Sequence, residues 1–92
     1  MIMKIVTNNS GTKDVRVIKY FEVNGRKFAV HRFLTCFGEF SDAFTASDYL
    51  TGYEVPRCYS YYTKRTIKLA TEVLNSPKAL KFNFNKYETI NK

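Results

Sequence analysis

The chain of 92 residues contains no Trp, a single His, two Cys, two Pro and four Gly, and only eight acidic residues against fifteen Lys and Arg. Each shortage excludes something. Two thiols, Cys36 and Cys58, are too few for the disulfide framework of a small secreted scaffold. With His31 they supply three soft ligands and no paired C-x2–4-C spacing, so structural zinc, which wants four ligands, is not expected, and no other cofactor is implied. No apolar run approaches about 18 residues, so no membrane-spanning helix is predicted. Met1 to Thr7 is too short and too polar for a signal peptide, and the expectation is a cytoplasmic chain with reduced thiols. Four isolated glycines punctuate turns and do not build a phosphate-binding loop.

The acids are scarce and also segregated. Glu39, Asp42, Asp48 and Glu54 sit in residues 37–56, which hold no Lys or Arg, while eight of the fifteen cations follow residue 56. The formal net charge is +7, which favours acidic partners, either nucleic acid or an acidic protein face. The four acids form no recognisable catalytic pair and read as a solvated acidic edge. Cys36 beside His31 suggests a dyad on paper, but no third group orients it by spacing, and packing is the simpler account. The chain is therefore expected to be a binding protein and not an enzyme.

What is present in excess is aromatic: eight Phe and seven Tyr. A single 92-residue domain buries only about two-thirds of its unfolded surface, so some tyrosines are expected at the surface or an interface, and self-association into a homodimer is compatible with them. The predicted fold class is α+β: an antiparallel sheet of three to four strands against one main C-terminal amphipathic helix. Met1 to Thr7 reads as a first strand and residues 8–12 as a loop. Val15 to Val23 and Arg26 to Leu34 read as a hairpin closed by Asn24-Gly25, the pair favoured in a type I′ turn. That turn sets Phe21 opposite Phe28, Glu22 opposite Lys27 and, further down, Val15 opposite Leu34. One hairpin face (Val15, Val17, Phe21, Val23, Phe28, Val30, Leu34) is the expected core face. The other (Arg16, Ile18, Tyr20, Glu22, Lys27, Ala29, His31, Phe33) is expected to be mixed and half wet. Phe40 to Ser47 reads as a third strand, Thr51-Gly52 as a turn, and Tyr53 to Val55 as a short fourth strand ended by Pro56. Lys64 to Asn75 puts Ile67, Ala70, Val73 and Leu74 on one stripe of a helix capped by Thr63 or Ser60. Ser76-Pro77 is a break and a restart: over residues 77–90 Leu80, Phe84 and Tyr87 suit a short second helix, the preferred reading, while Leu80, Phe82 and Phe84 suit a strand.

Two surfaces are candidates for binding. The first is the basic and aromatic stretch with Arg57, Tyr59, Tyr61, Tyr62, Lys64, Arg65 and Lys68. Its cations neutralise phosphates or carboxylates, and its phenol rings stack or fill hot spots. The second is the wet hairpin face, with Arg16, Tyr20, Lys27 and His31, as a platform for single strands.

Three segments carry a resemblance. Phe28-Ala29-Val30-His31, then residues 47–56 with their Thr51-Gly52 turn, then Thr63-Lys64-Arg65-Thr66-Ile67 resemble the hairpin, Thr-Gly turn and amphipathic helix of small accessory proteins of bacteriophages and mobile elements. The resemblance spans roughly residues 15–75 and carries no diagnostic motif, so no residue role is transferred. Many such proteins are non-enzymatic inhibitors of host defence, among them anti-CRISPR proteins that block a nucleic-acid-handling complex. The resemblance implies a host protein or ribonucleoprotein with an acidic surface as partner, with direct nucleic-acid binding, RNA or DNA, as the alternative. Some of these inhibitors mimic DNA with acidic surface, and a chain of net charge +7 departs from that strategy.

Overall fold

The computed structural model describes residues 1–7, 11–35, 37–76 and 84–91. The fold is α+β: strands β1 (Ile2–Val6), β2 (Thr12–Arg16), β3 (Lys19–Val23), β4 (Arg26–Leu34) and β5 (Phe40–Asp48), then helix α1 (Thr63–Asn75) and a single 3-10 turn at Phe84–Lys86. The strands form two antiparallel sheets, a β1–β2 ribbon and a three-stranded sheet in the order β3-β4-β5. Asn24 and Gly25 have φ of 52° and 81°, the positive pair that a type I′ turn requires. The turn sets the anticipated register from Val23↔Arg26 to Lys19↔Val30.

Below Lys19 the chain departs from the expected long hairpin. Val15 does not face Leu34; it pairs with Met3, and Arg16 pairs with Ile2. The expected single strand over 15–23 is broken at Val17-Ile18, and its first part belongs to the ribbon. Burial gives the reason. The ribbon folds across the sheet so that Met3, Ile5 and Val15 pack on Ala29. Phe28, Ala29, Val30 and His31 are consequently all buried, because β4 is the central strand and is covered on both faces. The half-wet face expected at Ala29 and His31 is an interior.

Helix α1 covers the other face. Ala70 packs with Val23, Phe28, Ala46, Val55, Cys58 and Phe84, and Leu69, Val73 and Leu74 close over them. Burying each large side chain contributes roughly 1.5–3 kcal/mol. Ala70, Val73 and Leu74 of the expected stripe are on this face, whereas Thr66 and Leu69 take the position expected of Ile67. The N-cap is Tyr62, which offers no side-chain cap, and neither Ser60 nor Thr63 fills that role. Ser76 closes the helix at its C-terminus, donating from its hydroxyl to the Val73 carbonyl at 2.8 Å. Of the second helix expected over 77–90, residues 77–83 lie outside the described residues, and the remainder is the 3-10 turn and irregular chain.

Residues 53–60 run along the open edge of β5, joined at the bridges Ser47↔Glu54 and Phe44↔Ser60. The short strand expected over Tyr53 to Val55 is thus one bridge within an irregular edge. The turn leading into it is built on Asp48, which is fully buried. The Asp48 carboxylate accepts two bonds from Arg26, at 2.6 and 2.9 Å, and bonds from the Thr51 hydroxyl and backbone N–H at 2.6 and 3.1 Å. Asp48 therefore does not belong to a solvated acidic edge.

Two glycines separate conformational strain from steric conflict. At Gly25 a Cβ would meet open space, so Gly25→Val is expected to cost about 1–2 kcal/mol from its positive φ alone. At Gly52, φ is 75° and a Cβ would sit 2.7 Å from the Lys4 carbonyl oxygen and 3.0 Å from the Ile5 Cα. Gly52→Ala is expected to cost more, roughly 2–4 kcal/mol, since the ribbon backbone must yield. Urea midpoints of the two variants should fall in that order, and equal midpoints would refute the contact.

Candidate functional site: a tyrosine ridge and a polar-floored cavity

The main candidate stretch is organised by its bridge to β5. Ser60 and Phe44 exchange backbone hydrogen bonds, and Ser60 points inward. Its neighbours Tyr59 and Tyr61 therefore point outward together, by the two-residue alternation of extended chain. They are 44% and 63% exposed, and Tyr62, at the helix start, is 72% exposed. Tyr59 packs edge-on against Phe33 of β4 (centroids 5.0 Å, 85°) and against Tyr61 (5.8 Å, 71°), and the Tyr59 hydroxyl donates to that of Tyr61 at 3.4 Å.

The cations flank this ridge. Arg57 follows Pro56 in a tight turn with φ of 61°, a conformation that Gly adopts without strain and that costs another residue about 1–2 kcal/mol. Lys64, Arg65 and Lys68 lie on the exposed side of α1, within about 10 Å of Tyr62 along the helix axis. Among the described residues, none of these four cations forms an ion pair. The first turn of α1 holds no acidic residue.

The second candidate does not survive as one surface. Lys27 lies 4.0 Å from the Tyr20 ring centroid and 4.3 Å from that of Tyr49, so both rings are already occupied by a cation of this chain. Arg16 belongs to the ribbon, and His31 is buried beneath it. Phe33 serves the tyrosine ridge at the opposite end of the sheet.

His31 instead joins a constellation that the sequence did not single out. A cavity of about 690 Å3 lies between the ribbon and the sheet, lined by Ile5, Val6, Thr7, Lys13, His31, Phe33, Leu34, Thr35, Phe37, Gly38, Thr45, Ser47 and Glu54. The β4–β5 register, His31↔Thr45 and Ala29↔Ser47, brings its polar floor together. His31 Nδ1 is 2.8 Å from the Arg32 carbonyl oxygen, which only accepts, so Nδ1 carries the proton. Nε2 then accepts from the Ser47 hydroxyl at 2.8 Å. The Thr45 hydroxyl donates to Glu54 at 2.7 Å. Thr45 and Ser47 alternate on β5, a pattern visible in the sequence, but nothing in it reveals which strand they face.

Cys58 is buried with its thiol donating to the Val55 carbonyl at 3.1 Å, and burial pushes its pKa up. Cys36 lies outside the described residues, so the His31–Cys36 pairing does too. Among the described residues no group of three His, Cys, Asp or Glu side chains converges as for a metal, and no helix is long and apolar enough to cross a membrane. Comparison with protein-family models, curated proteins and solved structures finds no match.

Burial depresses the His31 pKa below its ordinary value near 6.5. The unfolded chain therefore binds this proton at a higher pH than the folded one, and stability is lost as pH falls below about 6.5 and through the folded pKa. Urea midpoints taken from about pH 7.5 to about pH 5 should decline towards acid, with the slope absent in His31→Gln. An equal slope in that variant would assign the effect to another group.

Proposed function

We propose that this chain is a non-enzymatic binding protein, acting in the cytoplasm of a host cell, that docks its tyrosine ridge and flanking cations on an acidic face of a host protein or ribonucleoprotein. This is the mode of action expected of an anti-CRISPR-like inhibitor from a phage or mobile element. The observation that carries it is the Tyr59–Tyr61 ring pair, backed by Phe33 and β5 and followed by the exposed Tyr62, beside Arg57, Lys64, Arg65 and Lys68, which have no charge partner among the described residues. Rings already fixed against one another lose little freedom on binding, which is what makes tyrosines effective anchors. Uncompensated cations beside them raise the association rate with an acidic partner.

The ring geometry favours a protein face over a run of stacked bases. Phe33, Tyr59 and Tyr61 meet at 85° and 71°, so successive rings do not offer parallel platforms to successive bases. Such a chain of edge-on rings fits pockets on a folded partner.

The test is affinity capture from bacterial lysate with and without nuclease, followed by titration against salt. Arg65→Glu combined with Lys68→Glu, verified as folded, should slow association about tenfold or more, and Tyr61→Ala should cost roughly 2 kcal/mol mainly through faster dissociation. Capture abolished by nuclease, with a log-log salt slope near −0.7 to −0.9 per phosphate contact, would assign nucleic acid itself as the partner. A folded charge-reversal variant that retains full binding would remove this surface from the function.

A further inference from the structure

We infer that the cavity between the ribbon and the sheet is a binding site for a guanine nucleotide, either free or as a guanine base presented by a strand. This site is separate from the docking surface proposed above and shares with it only Phe33.

The volume, about 690 Å3, falls within the roughly 300–1,000 Å3 of small-molecule sites. Its chemistry is specified by where its protons go. The Ser47 hydroxyl proton is committed to His31 Nε2, and the Thr45 hydroxyl proton to Glu54. What these oxygens can still offer is lone pairs. Glu54 is exposed to the cavity, and its Oε1 has no protein hydrogen bond among the described residues. Thr45 and Ser47 are themselves buried, so the acceptor open to the cavity is the Glu54 carboxylate they support, and it calls for a ligand edge that donates. The walls are apolar, from Ile5, Val6, Leu34 and the Phe33 ring, with the largely exposed Phe37 at the rim, which suits a flat ring.

A guanidinium and the Watson–Crick edge of guanine, with its N1–H and 2-amino hydrogens, each present two adjacent donors to a carboxylate from a flat group. Lys13 decides between them. Lys13 lines the same cavity, and its exposed Nζ donates to the Gly38 carbonyl at 3.0 Å and lies 5.1 Å from the Phe40 ring centroid, with further protons to give. It opposes a second cation and attracts a phosphate, as does the net charge of +7. A guanine nucleotide satisfies both ends, its base edge on Glu54 and its phosphate on Lys13. Adenine turns a ring-nitrogen lone pair towards Glu54 where guanine turns N1–H, and is expected to be rejected.

Isothermal titration of the full chain with GMP, AMP and guanosine tests this directly. GMP should bind about tenfold or more tightly than AMP, and Glu54→Gln should weaken GMP about tenfold or more. Glu54→Gln retains an oxygen that accepts from Thr45, and circular dichroism should report an unchanged fold. Lys13→Ala should weaken GMP while leaving guanosine unaffected. A thymine strand carrying one guanine separates the sources: tighter binding than both GMP and an all-thymine strand assigns a base in a strand, and otherwise the ligand is the free nucleotide. The inference is overturned by absent GMP binding to the folded protein, by AMP binding as tightly as GMP, or by Glu54→Gln binding GMP unchanged. None of these results bears on the tyrosine ridge, whose variants lie outside the cavity.

Discussion

The Asp48 carboxylate is the constraint on which the rest of the structure depends. It is fully buried, at the end of β5, and its two oxygens accept four hydrogen bonds: two from Arg26 beside the hairpin tip, and two from Thr51 in the following turn. A buried carboxylate without such partners is very costly, and removing one partner of a buried pair costs about 3–5 kcal/mol. The ion pair therefore commits the β3–β4 hairpin and the 49–52 turn to a single arrangement. Other segments attach to that turn. Val6 of the ribbon donates to the Gly52 carbonyl, and Ile90 and Asn91 donate to that of Leu50. The Asn91 side chain then ties Lys4 on the ribbon to the Tyr49 carbonyl. The closeness of Gly52 to the Lys4 and Ile5 backbone follows from the same convergence.

With the turn set, the two faces of the β3-β4-β5 sheet take different roles. The face under α1 is apolar and continuous, from Val23 through Phe28 and Ala46 to Ala70. The face under the ribbon is filled only in part. Met3, Ile5 and Val15 close over Ala29, whereas further along β4 and β5 the covering gives way to the cavity above His31, Thr45 and Ser47. Polar residues are tolerated there because each is satisfied: among the described residues no buried side-chain nitrogen or oxygen lacks a hydrogen-bond partner. The neutral His31 ring bridges the Arg32 carbonyl to Ser47, so the floor is rigid as well as polar.

Phe33 is where the two surfaces meet. Near the irregularity between Arg32 and Leu34, it both lines the cavity and backs Tyr59. Bulged registers commonly re-aim a side chain in this way. A partner seated on the ridge would thus press on a ring that also walls the cavity. The ridge depends on extended backbone at residues 59–61 and the cavity on the β4–β5 register, so their supports are otherwise different.

The sequence by itself determined the local geometry. Asn24-Gly25 set the hairpin turn and the Phe21–Phe28 register, because both depend on positive φ and two-residue alternation, which are properties of adjacent residues. The apolar period of residues 64–75 determined α1 in the same way, and the crowding of Arg57, Tyr59, Tyr61, Tyr62, Lys64, Arg65 and Lys68 into twelve consecutive residues made the first candidate surface legible. Only the tertiary structure decided which sheet face is interior, where Asp48 goes, and that His31, Thr45, Ser47 and Glu54 share a floor. Val15 can pair with Leu34 or with Met3 on equal local grounds, and the choice rests on area buried by residues far apart in the chain. Asp48 and Glu54 look alike as isolated acids, and they differ because Arg26 reaches one and the cavity opens on the other. Local backbone preference is carried by neighbouring residues, whereas burial and electrostatics depend on what the rest of the chain brings alongside.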